Sequence, residues 1–301
     1  MKEKSIDINA LHSVQLTILK EFDRVCREND IEYFLAYGTL LGAIRHNGFI
    51  PWDDDIDVFM KYSEYCKLKM LPNGVWKTPF FLQTPETDKE YKKCYIKLRK
   101  SDTTLIVDDV ADLDINHGVD IDIYPIFKLT KSAKMRKRQY RDTMTYMLLQ
   151  VDTPPVNHGK IFYYGGKIIL GLLPTKLKKR IKNNLIDRIA AVDNTPYSYV
   201  INGNIEIMRQ VFKNVWFEGK EDHPFEDGIF PIPKGWDEWL RSRYGDNYMD
   251  LPPENKRGIK LEQFMFVDVN NPYIKYKGVY YCSTSNKKRV KDDRIYDFIN
   301  N

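Results

Sequence analysis

The sequence predicts an α+β fold, and three observations carry that reading. Strand-like and helix-like stretches follow one another in irregular order rather than as a repeated βαβ series. Two stretches, DIDVFM (55–60) and VDIDIYPIF (119–127), alternate polar and apolar residues with the period of two that a strand imposes. No period of about 20–50 residues repeats, which sets a solenoid aside. With 301 residues, 43% of them hydrophobic, the chain can bury a substantial core and is neither disordered nor a disulfide knot. At about 100–200 residues per domain it makes one large domain or two small ones.

Residues 8–29 read as an amphipathic helix, because Leu11, Val14, Ile18, Phe22 and Val25 recur every three or four positions. Asn29-Asp30 ends it. IEYFLAY (31–37) is a β-type run that Gly38-Thr39 closes before a short helix, LLGAIRH. Ile50-Pro51 leads into a run of acids and the strand DIDVFM. YIKLRK (95–100) is a strand with alternating basic residues, and VDIDIYPIF is another. From 131 the character changes. A basic stretch, KSAKMRKRQYRD, is followed by the punctuating TPPVNHG (153–159). The apolar IFYYGGKIILGLLP then runs into a basic cluster. The predicted organisation is a core over 1–130, a basic and apolar helical insertion over 131–190, and a C-terminal region over 191–301 packed on the core.

Four cysteines, at 26, 66, 94 and 282, are too widely spaced for a metal pair and too few for a disulfide scaffold. A reduced, cytoplasmic setting is the simplest expectation. The N-terminal residues lack an apolar core and cleavage site, so no signal peptide is expected. No apolar run of about 18 residues offers a membrane span. Lys and Arg number 47 against 42 Asp and Glu, a net of +5 that does not by itself indicate nucleic acid, and no nucleic-acid partner is expected.

The charges are unevenly placed. On a strand, residues two apart share a face, so Asp55 and Asp57 project together, with Asp53 on the same side if the strand reaches back to it. Adjacent carboxylates raise each other's pKa unless a cation intervenes. Mg²⁺ is suited to this, since it binds one or two carboxylates together with substrate phosphates. The competing reading is a solvated acidic turn, which would not require the interleaved Ile56 and Val58. Asp120 and Asp122 form a second pair between Val119, Ile121 and Ile123; here the competing reading is a strand with one wet face. Gly38-Thr39, at a strand-to-helix junction, offers backbone N–H groups and a hydroxyl to a phosphate.

These segments resemble the LicD family, within the nucleotidyltransferase superfamily that shares a polymerase-beta-like fold. The resemblance rests on YGTLLGAIRHNGFIPWDDDIDVFM (37–60), on KLR with Thr103-Thr104 (97–104), on HGVDIDIYPI (117–126) and on PIPKGWDEWLRSRYGDNYMDLPPENKR (231–257). All four occur in the family's order, and the likeness spans about residues 10–257, with 128–200 the least constrained part. Fukutin and fukutin-related protein look like distant relatives through the same W-D-x-D-x-D pattern. The resemblance implies a nucleotidyltransferase core over 1–130. Gly38 and Thr39 match the phosphate-contacting pair, Asp55 and Asp57 the first metal pair, with Asp53 an accessory ligand, and Asp122, in preference to the alternative Asp120, the third carboxylate. Many relatives carry an aromatic or aliphatic residue where Asp120 stands and an acid where Phe127 stands.

The implied reaction moves a substituted phosphate, phosphocholine foremost, from a CDP-linked donor to a hydroxyl of a sugar or lipid-linked glycan acceptor. Phosphoribitol and phosphoglycerol are the alternatives within the family. The implied cofactor is Mg²⁺, with Mn²⁺ as the alternative, held by Asp55, Asp57, Asp122 and Asp53. Arg45, Lys97 and Arg99 are candidates for phosphate charge, against the simpler reading that they pair with the acids. Trp52 is a candidate contact for the donor's base or head group. Trp236, Trp239, Leu240 and Tyr244 have helical spacing suited to packing. The histidines 46 and 117 match no zinc signature. Asp55-Ile56-Asp57 is also a DxD motif, so a metal-dependent glycosyltransferase is the second reading and an inactive binding module the third. The segment 160–184 suits a peripheral position at the inner face of a membrane, against the alternative of a buried helix with a solvated tail.

Overall fold

The computed structural model describes residues 7–152, 160–258 and 264–283; the TPPVNHG stretch lies outside them. The chain begins with α1 (Ile8–Glu28), β1 (Phe34–Leu35), α2 (Tyr37–His46), β2 (Asp57–Lys61) and α3 (Tyr62–Met70). It continues through β3 (Phe80–Gln83), β4 (Ile96–Lys100), β5 (Thr104–Val107) and β6 (Val119–Leu129). Three helices follow, α4 (Ala133–Val151), α5 (Lys160–Leu172) and α6 (Thr175–Ala190). The remainder comprises β7 (Tyr197–Val200), α7 (Ile205–Met208), β8 (Phe212–Lys213), β9 (Lys220–Phe225), β10 (Gly228–Pro233), α8 (Trp236–Tyr244) and β11 (Phe264–Asp268). Helices and strands in this irregular order make the fold α+β.

The main sheet runs β1-β2-β6-β4-β3, with β7 and β8 added beyond the end of β4. It is mixed: β2 and β6 are parallel and the other pairings antiparallel. β6 is its axis. One edge of this strand pairs with β2 through 122–126, and the other pairs with β4 through 119–123 and with β7 through 126–129. Every residue of β6 is buried except Lys128. A strand with one wet face is therefore not what VDIDIYPIF forms. Residues 191–301 contribute β7 and β8 to this sheet, while β11 pairs with β5.

α1 covers the sheet with the stripe read from its sequence: Leu11, Ile18, Phe22 and Val25 are fully buried. Asp7 caps it, accepting from the backbone N–H groups of Asn9 and Ala10 at 3.1 Å. Beyond the sheet's other face, Trp239 of α8 packs with Tyr37, Phe59 and Phe212. The strand expected over 31–37 is only two residues long. The chain turns at Tyr37, whose φ is +42°, so α2 begins there and Gly38-Thr39 lies inside its first turn. β2 likewise begins at Asp57, leaving Asp53 to Ile56 as an irregular approach. The 160–184 stretch is two helices parted at Pro174, which cannot continue a helix from the preceding turn.

The turn after α2 is latched by the β9–β10 hairpin. Glu226 at its tip accepts from Phe49 N at 2.9 Å, and its own N–H donates to Asn47 O at 2.8 Å. Gly42 lies so close to this turn that a Cβ there would sit 2.4 Å from Gly48 O and 3.2 Å from Ile50 N. In an open helix alanine would be favoured over glycine by about 1 kcal/mol. Here the obstruction is backbone, so Gly42→Ala is expected to cost about 1–3 kcal/mol instead. A lower urea midpoint at unchanged slope would register that cost.

Candidate active site

The parallel pairing of β2 with β6 sets Asp57 directly opposite Asp122. Both carboxylates are buried, and Asp120 shares their face two residues earlier on β6. Asp55 enters from the approach to β2 as an exposed residue whose carboxyl is nonetheless desolvated by the protein around it. Burial, and then the charges of Asp55, Asp122 and Asp53, push the Asp57 carboxyl well above the ordinary carboxylate range. The protein mass around Asp55, followed by Asp53, Asp54 and Asp122, pushes its carboxyl the same way. Asp57 Oδ1 is buried and has no hydrogen-bond partner among the described residues.

Lys97 of β4 faces Asp122 across the sheet, with its Nζ 2.6 Å from Asp122 and 2.8 Å from Asp120. Burial works against the ammonium, but the two carboxylates outweigh it and raise its pKa. Tyr124 donates its hydroxyl to Asp122 Oδ2 at 2.8 Å. Arg99, two residues after Lys97, is 3% exposed and meets Asp120 at 2.5 Å. It also donates to Gly118 O at 2.6 Å and Gln83 Oε1 at 2.5 Å. Burial would raise the Asp120 pKa, yet Arg99 and Lys97 hold it below its usual value. Of the basic residues singled out from the sequence, Arg99 is thus committed to Asp120, whereas Lys97 lies among the carboxylates.

The loop carrying the acids is tied to α1 by two residues that the sequence did not single out. His12 Nε2 lies 2.6 Å from Asp53 O, and Gln15 Nε2 donates to Asp54 O at 2.7 Å. A carbonyl only accepts, so the Nε2 of His12 carries the proton. Burial lowers the His12 pKa and favours this neutral form, and its ring is stacked on Phe49 at 3.9 Å. Thr39 is buried, and its hydroxyl oxygen accepts from Asp57 N at 2.8 Å, fixing the start of β2. A Cβ on Gly38 would meet Asp53 Oδ2 at 2.2 Å, so only glycine admits that carboxylate so close to the first turn of α2.

The C-terminal region supplies cations on the other side. Arg45 donates to Tyr248 O and Asp250 O at 3.0 and 3.1 Å, which joins α2 to that region. The Arg257 guanidinium lies 5.9 Å over the Trp52 ring, and His46 meets the same ring edge-on. Arg243 of α8 lies over Tyr37 at 5.9 Å and Tyr244 at 5.4 Å, with Nε buried and unpartnered. Trp239 and Leu240 are fully buried as their spacing suggests, but Tyr244 is 37% exposed, and the Asp57, Asp53 and Asp55 charges act on its phenol. His117 is fully buried against Tyr281.

Among the described residues, no three His, Cys, Asp or Glu side chains are arranged as a cage for a metal ion. The donor set nevertheless fits a hard divalent cation. It is all oxygen, its members repel one another, and one buried oxygen of Asp57 lacks a partner. Mg²⁺ needs only one or two carboxylates when phosphate oxygens complete its shell.

Residues 30–152 match the family described as LicD/FKTN/FKRP, nucleotidyltransferase domain. The lipopolysaccharide cholinephosphotransferase LicD of Haemophilus influenzae is 29% identical over 271 residues, covering 83% of this chain and 94% of that protein. An uncharacterized protein of Rickettsia prowazekii is 37% identical over 54 residues, 18% of this chain and 20% of its own length. One of Rickettsia typhi is 40% identical over 47 residues, 16% and 15% respectively.

Removing the ammonium leaves Arg99 to balance Asp120, but leaves the buried Asp122 without a cation. Lys97→Met is expected to cost about 3–5 kcal/mol in denaturant unfolding. Adding Asp122→Asn should restore about 1 kcal/mol or more of that loss, a coupling that a double-mutant cycle reads directly.

Proposed function

We propose that this chain, which belongs to the LicD family, is a transferase that moves a substituted phosphate, phosphocholine foremost, from a CDP-activated donor to a hydroxyl of a cell-surface glycan. The observation that carries the reading is the parallel β2–β6 pairing, which sets Asp57 and Asp122 side by side with a buried Asp57 oxygen left unpartnered. The matched relative, a lipopolysaccharide cholinephosphotransferase, supports phosphocholine and a glycan acceptor. A polymerase-beta-like nucleotidyltransferase core is part of the proposal, supported by the mixed sheet and by the description of the matched domain.

Asp55 and Asp57 would hold Mg²⁺, or Mn²⁺ in its place, with Asp122 and Asp53 as the further oxygen donors. When bound, the ion supplies neutralisation of the charge that develops on the CMP leaving group. Thr39 accepts a hydrogen bond from Asp57 N and keeps its own proton to donate to a phosphate oxygen, beside the Gly38 N–H. Asp122, oriented by Lys97 and Tyr124, would accept the proton of the attacking hydroxyl. Arg243, with its unpartnered Nε, and Arg257, over Trp52, are suited to the phosphate and head-group side. His12 and Gln15 act through the loop they hold. The Asp55-Ile56-Asp57 motif also favours glycosyl transfer, but the Asp57–Asp122 register and the family favour phosphoryl transfer.

Incubation with Mg²⁺ and a panel of CDP-choline, CDP-ribitol, CDP-glycerol and nucleotide sugars tests the donor. CMP release from CDP-choline in the presence of a glycan acceptor is expected; turnover of a nucleotide sugar alone would overturn the reading. Asp57→Asn should lower transfer by about a thousandfold or more, since the ion's charge stabilisation is worth several kcal/mol. Because it removes a buried, repelled charge, the same variant should melt no earlier than the parent in metal-free buffer. Full metal-dependent activity in Asp57→Asn would remove Asp57 from the reaction.

A further inference from the structure

Outside the carboxylate site, exposed apolar side chains follow one another at helical spacing along α5. Tyr164, Ile168 and Leu172 follow one another at four-residue intervals and are 58%, 62% and 78% exposed. They occupy one face, and Leu177, early in α6, adds a further exposed apolar side chain. Leu170 is buried with Leu149 and Leu185, which fixes α5 on the protein and turns the stripe outward. A helix that only needed to pack would not present its apolar residues in a row to water.

The charges around the stripe indicate what covers it. Residues 160–186 contain no Asp or Glu. The cations of α6 divide by helical spacing. Lys178 and Lys182 turn inward to Asp152 and Gln150 on and beside α4. Lys176, Lys179 and Arg180 remain exposed, as does Lys167 between the apolar residues of α5. Among the described residues no helix is long and apolar enough to cross a membrane, and thirteen-residue α5 falls short of a bilayer's hydrocarbon core.

We propose that the outer face of α5 and the start of α6 form a seat for an anionic lipid surface, with Tyr164, Ile168 and Leu172 entering the headgroup region and Lys167, Lys176, Lys179 and Arg180 meeting lipid phosphates. An apolar stripe on a segment that carries exposed cations and no acidic residue matches the chemistry of such an interface. A second copy of this face would have to bring these cations against their own kind. The inference is independent of the transferase reading, because it is read by lipid binding alone. If both hold, the enzyme meets its acceptor at the membrane.

The test is flotation of the full chain with vesicles of phosphatidylcholine alone and of phosphatidylcholine mixed with phosphatidylglycerol. The parent protein should partition at least about tenfold more strongly to the anionic vesicles, and salt should weaken the difference. Neutralising Lys176, Lys179 and Arg180 together (each →Gln) should lower that partitioning by about tenfold to a hundredfold. Ile168→Ser with Leu172→Ser, both at exposed positions, should lower it by about tenfold while leaving the melting midpoint in place. Equal recovery with neutral and anionic vesicles would overturn the proposal, as would full anionic binding by either variant. A serine variant that instead converts a dimer to a monomer, with lipid binding intact, would assign the stripe to a second copy.

Discussion

The arrangement depends on one costly juxtaposition, that of Asp57 and Asp122 on neighbouring parallel strands. Two unit charges about 5 Å apart repel by about 3 kcal/mol at an effective dielectric of 20. Burial makes each harder to ionise as well. The surrounding structure offsets this cost in several ways. Lys97 stands between Asp122 and Asp120, Arg99 balances Asp120, and Tyr124 donates to Asp122. Asp57 is the member left without such a neighbour, since Thr39 meets its backbone N–H and not its carboxylate. Asp120 and Asp122 are thus stabilised within the protein, while Asp57 keeps a buried oxygen without a partner.

Much of this was legible from pattern alone, because periodicity reports faces. The stripe of α1, the strand β4 and the alternation in β6 all follow from spacing, and the two acidic pairs were visible as charges placed among apolar neighbours. Spacing does not report partners. Lys97 and Arg99 share a face of β4, but only the structure shows that Arg99 is held by Asp120, Gly118 and Gln83. Gln15 left a trace that could have been noticed. It stands four residues after Leu11 and three before Ile18, at a position of the stripe where an apolar residue belongs, and it is buried there to hold Asp54. Arg243 left none, since an arginine near the end of a helix ordinarily faces water.

The boundaries of β1 and α2 differ from the sequence pattern for a common reason. The backbone turns at Tyr37 in a left-handed conformation that side-chain pattern does not encode, and this moves Gly38 and Thr39 into the helix. The close approach of Asp53 to Gly38 depends on that turn and on the hold of His12. Residues far along the chain enter the same neighbourhood. The matched domain, 30–152, carries the carboxylates, while Arg243 and Arg257 come from beyond it. The carboxylates and these two arginines thus belong to different stretches of sequence, joined where Arg45 reaches the carbonyls of Tyr248 and Asp250.

The parallel pairing of β2 with β6 also bears on the order in which the chain folds. Antiparallel neighbours can be joined by short turns, but these two strands are separated by α3, β3, β4 and β5. Closing so long a connection carries an entropy cost that local pairings do not, so nearby contacts form first. Asp57 and Asp122 therefore meet only after much of the intervening chain has begun to order, and Lys97 belongs to that intervening chain. The counter-charge arrives from the segment whose folding brings the like charges together.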